Sequence, residues 1–241
     1  MTGVQTCALP ILNDLYDYGL KIYQADNLFK FSLDSILLAE FVDVRKNTQL
    51  IVDFCTGTAA VPLILSTKYL AKIKGIEIQK NVSKLAYNSV VLNNLENQIE
   101  IINDNLSSAL EYILPESVDA ITCNPPYFKM NEGSYLNIDE EKRIARHEIT
   151  TNLEQIIVTA KYLLRNRAPI YMVHRPERLM EIINLLTKYN FKIKKLQFVY
   201  SSYEKSAIMV LIKATKNGAE GLIVNKPLNI TGRKTYKNIF N

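Results

Sequence analysis

Residues 122–128 read "TCNPPYF". An asparagine and two prolines close an alternating apolar run, and two aromatics follow. Proline has no N–H to give to a sheet, so a strand ends here. Asn124 precedes a proline and is held extended. The Pro125 carbonyl then lacks a regular strand partner and stands beside the Asn124 side-chain oxygen as a second acceptor. Two adjacent acceptors match an –NH2 group with its two N–H bonds. Tyr127 offers a ring face to a planar substrate, a stacking contact worth about 1–3 kcal/mol. Pro126 stiffens the loop and Phe128 adds a second ring on the substrate's side. An amide or aromatic amine has a delocalised lone pair. Two angled acceptors favour a tetrahedral nitrogen and turn that lone pair towards an electrophile. Such catalysis is positioning and electrostatics, with no metal required. The plainer alternative is a proline-rich turn closed by an aromatic plug.

A second constellation precedes this one. Asp53, Glu77 and Asp104 stand at the ends of three successive apolar runs. In an open α/β sheet, ligands bind at the carboxyl ends of the strands. Gly57, in "DFCTGTAA", permits a tight turn and close approach of a ligand to the backbone. Glu77 follows it by twenty residues, the spacing at which a carboxylate grips ribose hydroxyls. Asp104 is placed to accept from an adenine amino group. Each acid alone reads equally well as a helix cap or a solvated turn residue, and the three together point to a nucleoside-bearing cofactor. Nicotinamide dinucleotides and S-adenosylmethionine both satisfy this pattern. The asparagine–proline group selects S-adenosylmethionine, whose sulfonium methyl is the electrophile that an activated amine needs.

The elements that must carry these residues alternate regularly. Strands are expected at 48–55, 72–78, 98–104, 117–123 and 168–173, and helices at 58–70, 82–95, 105–114, 153–164 and 176–189. Two further strands, 194–201 and 206–214, are joined by a connection of hairpin length, so one of them runs antiparallel. The expected fold is an α/β, Rossmann-like sheet, mostly parallel, with one antiparallel strand near the C-terminus. A helix is expected over 31–42 with Ser32 or its neighbour as cap, and residues 16–30 read as a hairpin or an irregular cap over the sheet edge. Asp34, early in that helix, either meets the cofactor or complements the helix dipole. The polar stretch 130–152 is the one long connection, and long loops in compact domains tend to be functional. Within it, Arg146 and His147 either order the loop over the target or touch phosphate. His174 and Arg175 follow the fifth strand, on the substrate side.

With 241 residues, 48% hydrophobic and 22% charged, the chain suits one globular domain of ordinary size, or one plus a small appendage. No apolar run is long enough to span a bilayer. The net charge of +5 permits a nucleic-acid partner without demanding one. The cysteines show no metal-ligand spacing and read as reduced, cytoplasmic thiols. The first eleven residues, "MTGVQTCALPI", look like a translated sequencing adapter and are set apart from the fold. The expected organisation is then an N-terminal cap and helix over 12–47, the core over 48–215, and a C-terminal tail over 216–241. Its "GRKTYK" (232–237) reads either as an RNA-phosphate contact or as a frayed end.

Taken together, these motifs resemble class I S-adenosylmethionine-dependent methyltransferases with an N-P-P-Y motif. More closely, the chain resembles the tRNA(Val) adenine-N6-methyltransferase group. The likeness includes "FSLDSILLAEF" (31–41), "VDFCTG" (52–57), "VPLILSTK" (61–68), "GIEIQ" (75–79), "TCNPPYFK" (122–129), "IARHEITTNLE" (144–154), "VHRPERL" (173–179) and "QFVY" (197–200). The resemblance implies cofactor binding near Asp53 and Gly57, ribose held by Glu77 and adenine near Asp104. It implies a target adenine amino group held by Asn124 and Pro125 and stacked on Tyr127, in tRNA and next to the anticodon. Ala59 departs from the family's usual glycine.

Three other functions fit parts of the pattern. A protein glutamine methyltransferase also uses N-P-P-Y on an amide nitrogen, but usually with a helical N-terminal domain. A DNA adenine methyltransferase needs a recognition domain. An RNA-binding module with a decayed cofactor site draws its only support from Ala59. Nothing in the sequence requires a membrane or an obligatory protein partner.

Overall fold

The computed structural model of the chain describes residues 10–25, 33–125, 152–202 and 204–240. The described chain opens with an antiparallel pair, β1 (Ile11–Asp14) and β2 (Lys21–Gln24). Of the two expectations for this region, the hairpin is the one formed. It takes in Ile11, the last residue of the segment set apart above, which pairs with Gln24. Gly19 turns the chain at φ 70°, in the left-handed region a glycine enters without steric cost.

Helix α1 (Leu33–Phe41) leads to β3 (Leu50–Phe54), α2 (Ala60–Ser66), β4 (Lys72–Ile76), α3 (Lys80–Leu92) and β5 (Ile99–Ile102). A short 3-10 turn and α4 (Ala109–Tyr112) stand where one continuous helix is expected over 105–114. Asn105 there caps with its side chain, accepting from Ser107 N, a residue that favours turns over helix interiors. Then come β6 (Ala120–Cys123), α5 (Leu153–Leu163), β7 (Pro169–His174), α6 (Leu179–Lys188), β8 (Phe191–Tyr200) and β9 (Met209–Lys216). Pro62 lies in the first turn of α2, where its missing N–H has no helical partner to lose.

The main sheet has the order β8-β9-β7-β6-β3-β4-β5. β3 to β7 are parallel, whereas β9 runs against both β7 and β8. The expected antiparallel strand is therefore the second of the last two, inserted beside β7. The order reverses between β3 and β6, and at such a point open α/β sheets bind ligands in the crevice outside the carboxyl ends of the strands. Alternation along the strands supplies two apolar faces. Ile51, Tyr171 and Leu211 face α1 and α2, while Val52, Ile170, Met172 and Ile212 face α5 and α6. No helix among the described residues is long and apolar enough to cross a membrane.

The segment after β9 departs from the expectation of a plain tail. β10 (Ile223–Val224) and β11 (Leu228–Asn229) both pair parallel with β8, extending the sheet edge. Two-residue strands carry too short an alternation to be read from a sequence.

One glycine in the sheet is required sterically. A Cβ on Gly75 would come within 2.8 Å of Thr56 Oγ1. The loop after β3 thus lies directly on β4. Gly75→Ala is expected to displace the Thr56 side chain and to destabilise the protein by about 1–3 kcal/mol. Urea denaturation measures this, and an unchanged midpoint would show that the loop yields without cost.

Candidate functional site

Asp53 lies at the end of β3, 1% exposed. Both its oxygens are engaged: Oδ2 accepts from Thr56 Oγ1 at 2.6 Å and Oδ1 from Thr122 Oγ1 at 2.5 Å. Thr122 is its register partner on β6, so this second bond crosses the point where the strand order reverses. Burial raises the Asp53 carboxyl to about 7, opposed by the two hydroxyl bonds and reinforced by nearby Glu77.

The loop from Asp53 to α2 is shaped by left-handed residues at alternate positions, Cys55 (φ 55°), Gly57 (φ 58°) and Ala59 (φ 71°). A Cβ on Gly57 would meet nothing within 4 Å. Ala59 adopts a glycine-like conformation, at a cost of about 1–2 kcal/mol for an L-residue. It is fully buried, its N–H donates to Thr56 O at 3.0 Å, and its carbonyl accepts from Leu63 N at 3.0 Å. The departure from glycine therefore leaves the backbone in the conformation that glycine favours.

Glu77 follows β4 directly and closes this loop from the other side. Its Oε2 accepts from Gly57 N at 3.0 Å and its Oε1 from Gln79 N at 2.9 Å. Burial raises its carboxyl above the usual range, and the backbone bonds partly oppose that. Asp104 lies two residues beyond β5 rather than at its last position. Its oxygens accept from Tyr112 OH and Asn105 N, both at 2.6 Å, and these bonds hold its carboxyl below the usual range.

The weakened acidity of the two buried carboxyls gives a pH signature. A carboxyl that is harder to ionise in the folded state favours folding at low pH. For Asp53 the contribution is fully present below the unfolded value near 4 and is lost as pH rises through about 7. Stability should therefore fall between pH 4 and 7, by on the order of a few kcal/mol. Asp53→Asn should flatten most of this fall, with Glu77 supplying the remainder, as denaturant titrations at stepped pH would read. An identical slope in the variant would exclude Asp53 as its source.

Asn124 leaves the end of β6, and Pro125 beside it is buried. Its Nδ2 donates to Ser35 Oγ at 3.1 Å. Ser35 is a buried residue in the first turn of α1, so the N-terminal helix sets the amide's orientation. Asp34 adjoins it, half-buried. Arg175 is exposed beyond β7, and its Nη1 reaches Ile208 O at 3.5 Å. His174 before it is buried and lowered to about 4, chiefly by burial and secondly by the Arg178 charge. Pro126, Tyr127, Phe128, Arg146 and His147, with the rest of 126–151, lie outside the described residues, as does Ser32.

The structure thus brings Asp53, Gly57, Glu77 and Asn124 to one edge of the sheet. Asp104 stands at the same edge, two strands from β3, and Arg175 stands at it beyond β7. Sequence reasoning missed Ser35, Thr56, Thr122 and Gln79, which hold those groups. Thr56 sits inside the glycine loop and Thr122 two residues before Asn124, positions that mark them only once the strand register is known.

No family model matches the chain. Among solved structures, it is similar to a predicted O-methyltransferase from Agrobacterium tumefaciens, with a TM-score of 0.64 and 19% identity over 83% of this chain and 90% of that one. It is also similar to geranyl diphosphate C-methyltransferase from Streptomyces coelicolor in complex with S-adenosyl-L-homocysteine, with a TM-score of 0.56 and 9% identity over 76% of each chain. The chain shares the α/β fold of these proteins. In sequence, the chain is 31% identical over 134 residues to a Porphyromonas gingivalis protein named tRNA1(Val) (adenine(37)-N6)-methyltransferase, a match of 54% of this chain and 51% of that protein. A Bacteroides thetaiotaomicron protein of the same name is 25% identical over 209 residues, 86% of this chain and 85% of that one. The match thus spans about half the length of the first relative and most of the second.

Proposed function

We propose that the chain transfers a methyl group from S-adenosylmethionine to the N6 amino group of an adenine in tRNA, at position 37 of tRNA(Val). The observation that carries the reading is the Asn124 amide, oriented by Ser35 at the same sheet edge as the Asp53–Gly57–Glu77 loop. The names of the sequence relatives support the substrate.

The residues present fit the cofactor. Gly57 leaves open space where a side chain would project, and a carboxylate with two backbone bonds retains acceptor sites for ribose hydroxyls, the role given to Glu77. Asp53, made reluctant to ionise by its burial, would be restored to its charged form by a cationic partner such as a ligand ammonium. Asp104 takes the adenine end. Bound there, S-adenosylmethionine supplies an electrophilic sulfonium methyl.

On the substrate side, Asn124 Oδ1 and the Pro125 carbonyl accept the two N–H bonds of the target amine, and Tyr127 stacks on the base. This directs the nitrogen lone pair into the crevice. With S-adenosylmethionine bound, this nitrogen would take the methyl from sulfur, and the surplus proton would depart to water. Pro126, Phe128, Arg146, His147 and Arg175 complete the RNA side, and Asp34 adjoins the cofactor. An anticodon-loop base is splayed out at lower cost than a duplex base, which favours a compact RNA target.

Incubation with labelled S-adenosylmethionine and total tRNA, followed by nucleoside analysis, tests this reading. The expected product is N6-methyladenosine in tRNA(Val). Label on protein glutamine or duplex DNA, with none on tRNA, would overturn it.

A further inference from the structure

The basic run "GRKTYK" lies outside the site just described, and the structure fixes it in place. After β11, Ile230 N donates to Tyr200 O at 2.9 Å, and Arg233 Nε donates to Asn229 O at 2.8 Å. Lys237 Nζ sits 5.7 Å over the Tyr18 ring and donates to Asp17 O at 3.2 Å. Asn238 N donates to Glu40 Oε2 at 3.1 Å, and Phe240 packs edge-on against Phe41 at 5.6 Å. Residues 228–240 therefore form a strap from the end of β8 to α1.

The first anchor belongs to the edge that carries the site, whereas the second lies further along α1. Tyr200 ends β8, which is parallel to β7 because β9 opposes both. Glu40 is five residues beyond Ser35 on α1, about 7.5 Å of helical rise, and Ser35 holds Asn124. Buried Glu40 also takes Tyr18 OH at 2.7 Å and Lys68 Nζ at 3.5 Å, so the fastening is a fully occupied carboxylate. Arg233, Lys234 and Lys237 are exposed along the strap. Among the described residues, none of the three has a carboxylate within ion-pair distance.

Three cations held on an ordered strap differ from three on a free tail. Little further ordering is required when a polyanion binds them, and their spacing is fixed relative to Asn124. We propose that this strap is a phosphate-binding ledge for the RNA substrate, gripping the backbone beside the nucleotide presented to Asn124. The inference rests on the RNA-methylating reading above and adds where the RNA is held.

The test is Arg233→Gln/Lys234→Gln, two exposed positions. At physiological salt the variant should raise KM for tRNA by about tenfold. The slope of log KM against log salt should fall by about 1.5, as for two lost phosphate contacts. The kcat, the Kd for S-adenosylmethionine and the melting temperature should stay at wild-type values. An unchanged KM and salt slope, with wild-type methylation of tRNA intact, would overturn the ledge alone. A wild-type protein that methylates no RNA would overturn the reading beneath it as well.

Discussion

Asn124→Ala should abolish almost all methyl transfer, lowering kcat by about a hundred- to a thousand-fold, the usual loss on removing one preorganised hydrogen-bonding group from a reacting centre. The side chain contributes one of two acceptors proposed for the target amine. The Pro125 carbonyl alone would leave one N–H bond undirected and the nitrogen closer to planar. The fold should survive. The amide makes a 3.1 Å bond to Ser35, and losing one such bond costs about 0.5–1.5 kcal/mol. Cofactor affinity should be unchanged, because Asp53, Gly57 and Glu77 keep their own partners. Ser35→Ala gives a graded comparison: the acceptor remains but its orientation loosens, so the loss should be smaller. Single-turnover kinetics with saturating cofactor and tRNA would measure both. A rate for Asn124→Ala within tenfold of wild type would remove the amide from the chemistry.

Glu77→Ala should act on binding instead. The carboxylate ties Gly57 N at 3.0 Å and Gln79 N at 2.9 Å, bracketing the cofactor loop, and its other lone pairs are assigned to ribose hydroxyls. Losing charge-assisted bonds of this kind costs about 1.5–3 kcal/mol, or roughly 10- to 150-fold in Kd for S-adenosylmethionine. At saturating cofactor the chemical step should proceed near its normal rate. Glu77→Gln should fall between the two, since an amide oxygen still accepts while the charge is gone. Calorimetric titration reads the affinity directly. An unchanged Kd in the alanine variant would exclude the ribose role, whatever the effect on melting.

Much of this arrangement is legible in the amino-acid sequence. Long apolar runs bounded by glycine, proline and acids placed the central strands within a few residues, because a strand buried on both faces must be continuously apolar. The glycine loop, the acid twenty residues after it and the asparagine before two prolines are local signals, each tied to a backbone demand. What escaped the sequence depends on register. Thr122 becomes a ligand of Asp53 only because β6 pairs with β3 in a frame that sets them opposite each other. Ser35 becomes the support of Asn124 only because the fold brings the first turn of α1 to a residue 89 positions away. The C-terminal strap escaped for a different reason. Its strands have two residues each, and its fastenings include a carboxylate on a distant helix. Basic composition alone could not separate an anchored segment from a loose one.

The 2.5 Å bond between Asp53 and Thr122 makes the two halves of the crevice thermodynamically answerable to each other. Asp53 opens the loop assigned to the cofactor, and Thr122 lies two residues before Asn124. A ligand that settles the Asp53 side therefore also settles the strand end presenting Asn124, and differential stabilisation of that kind is a coupling free energy. Such coupling is reciprocal in binding: whatever factor the first ligand lends to the affinity of the second, the second returns to the first.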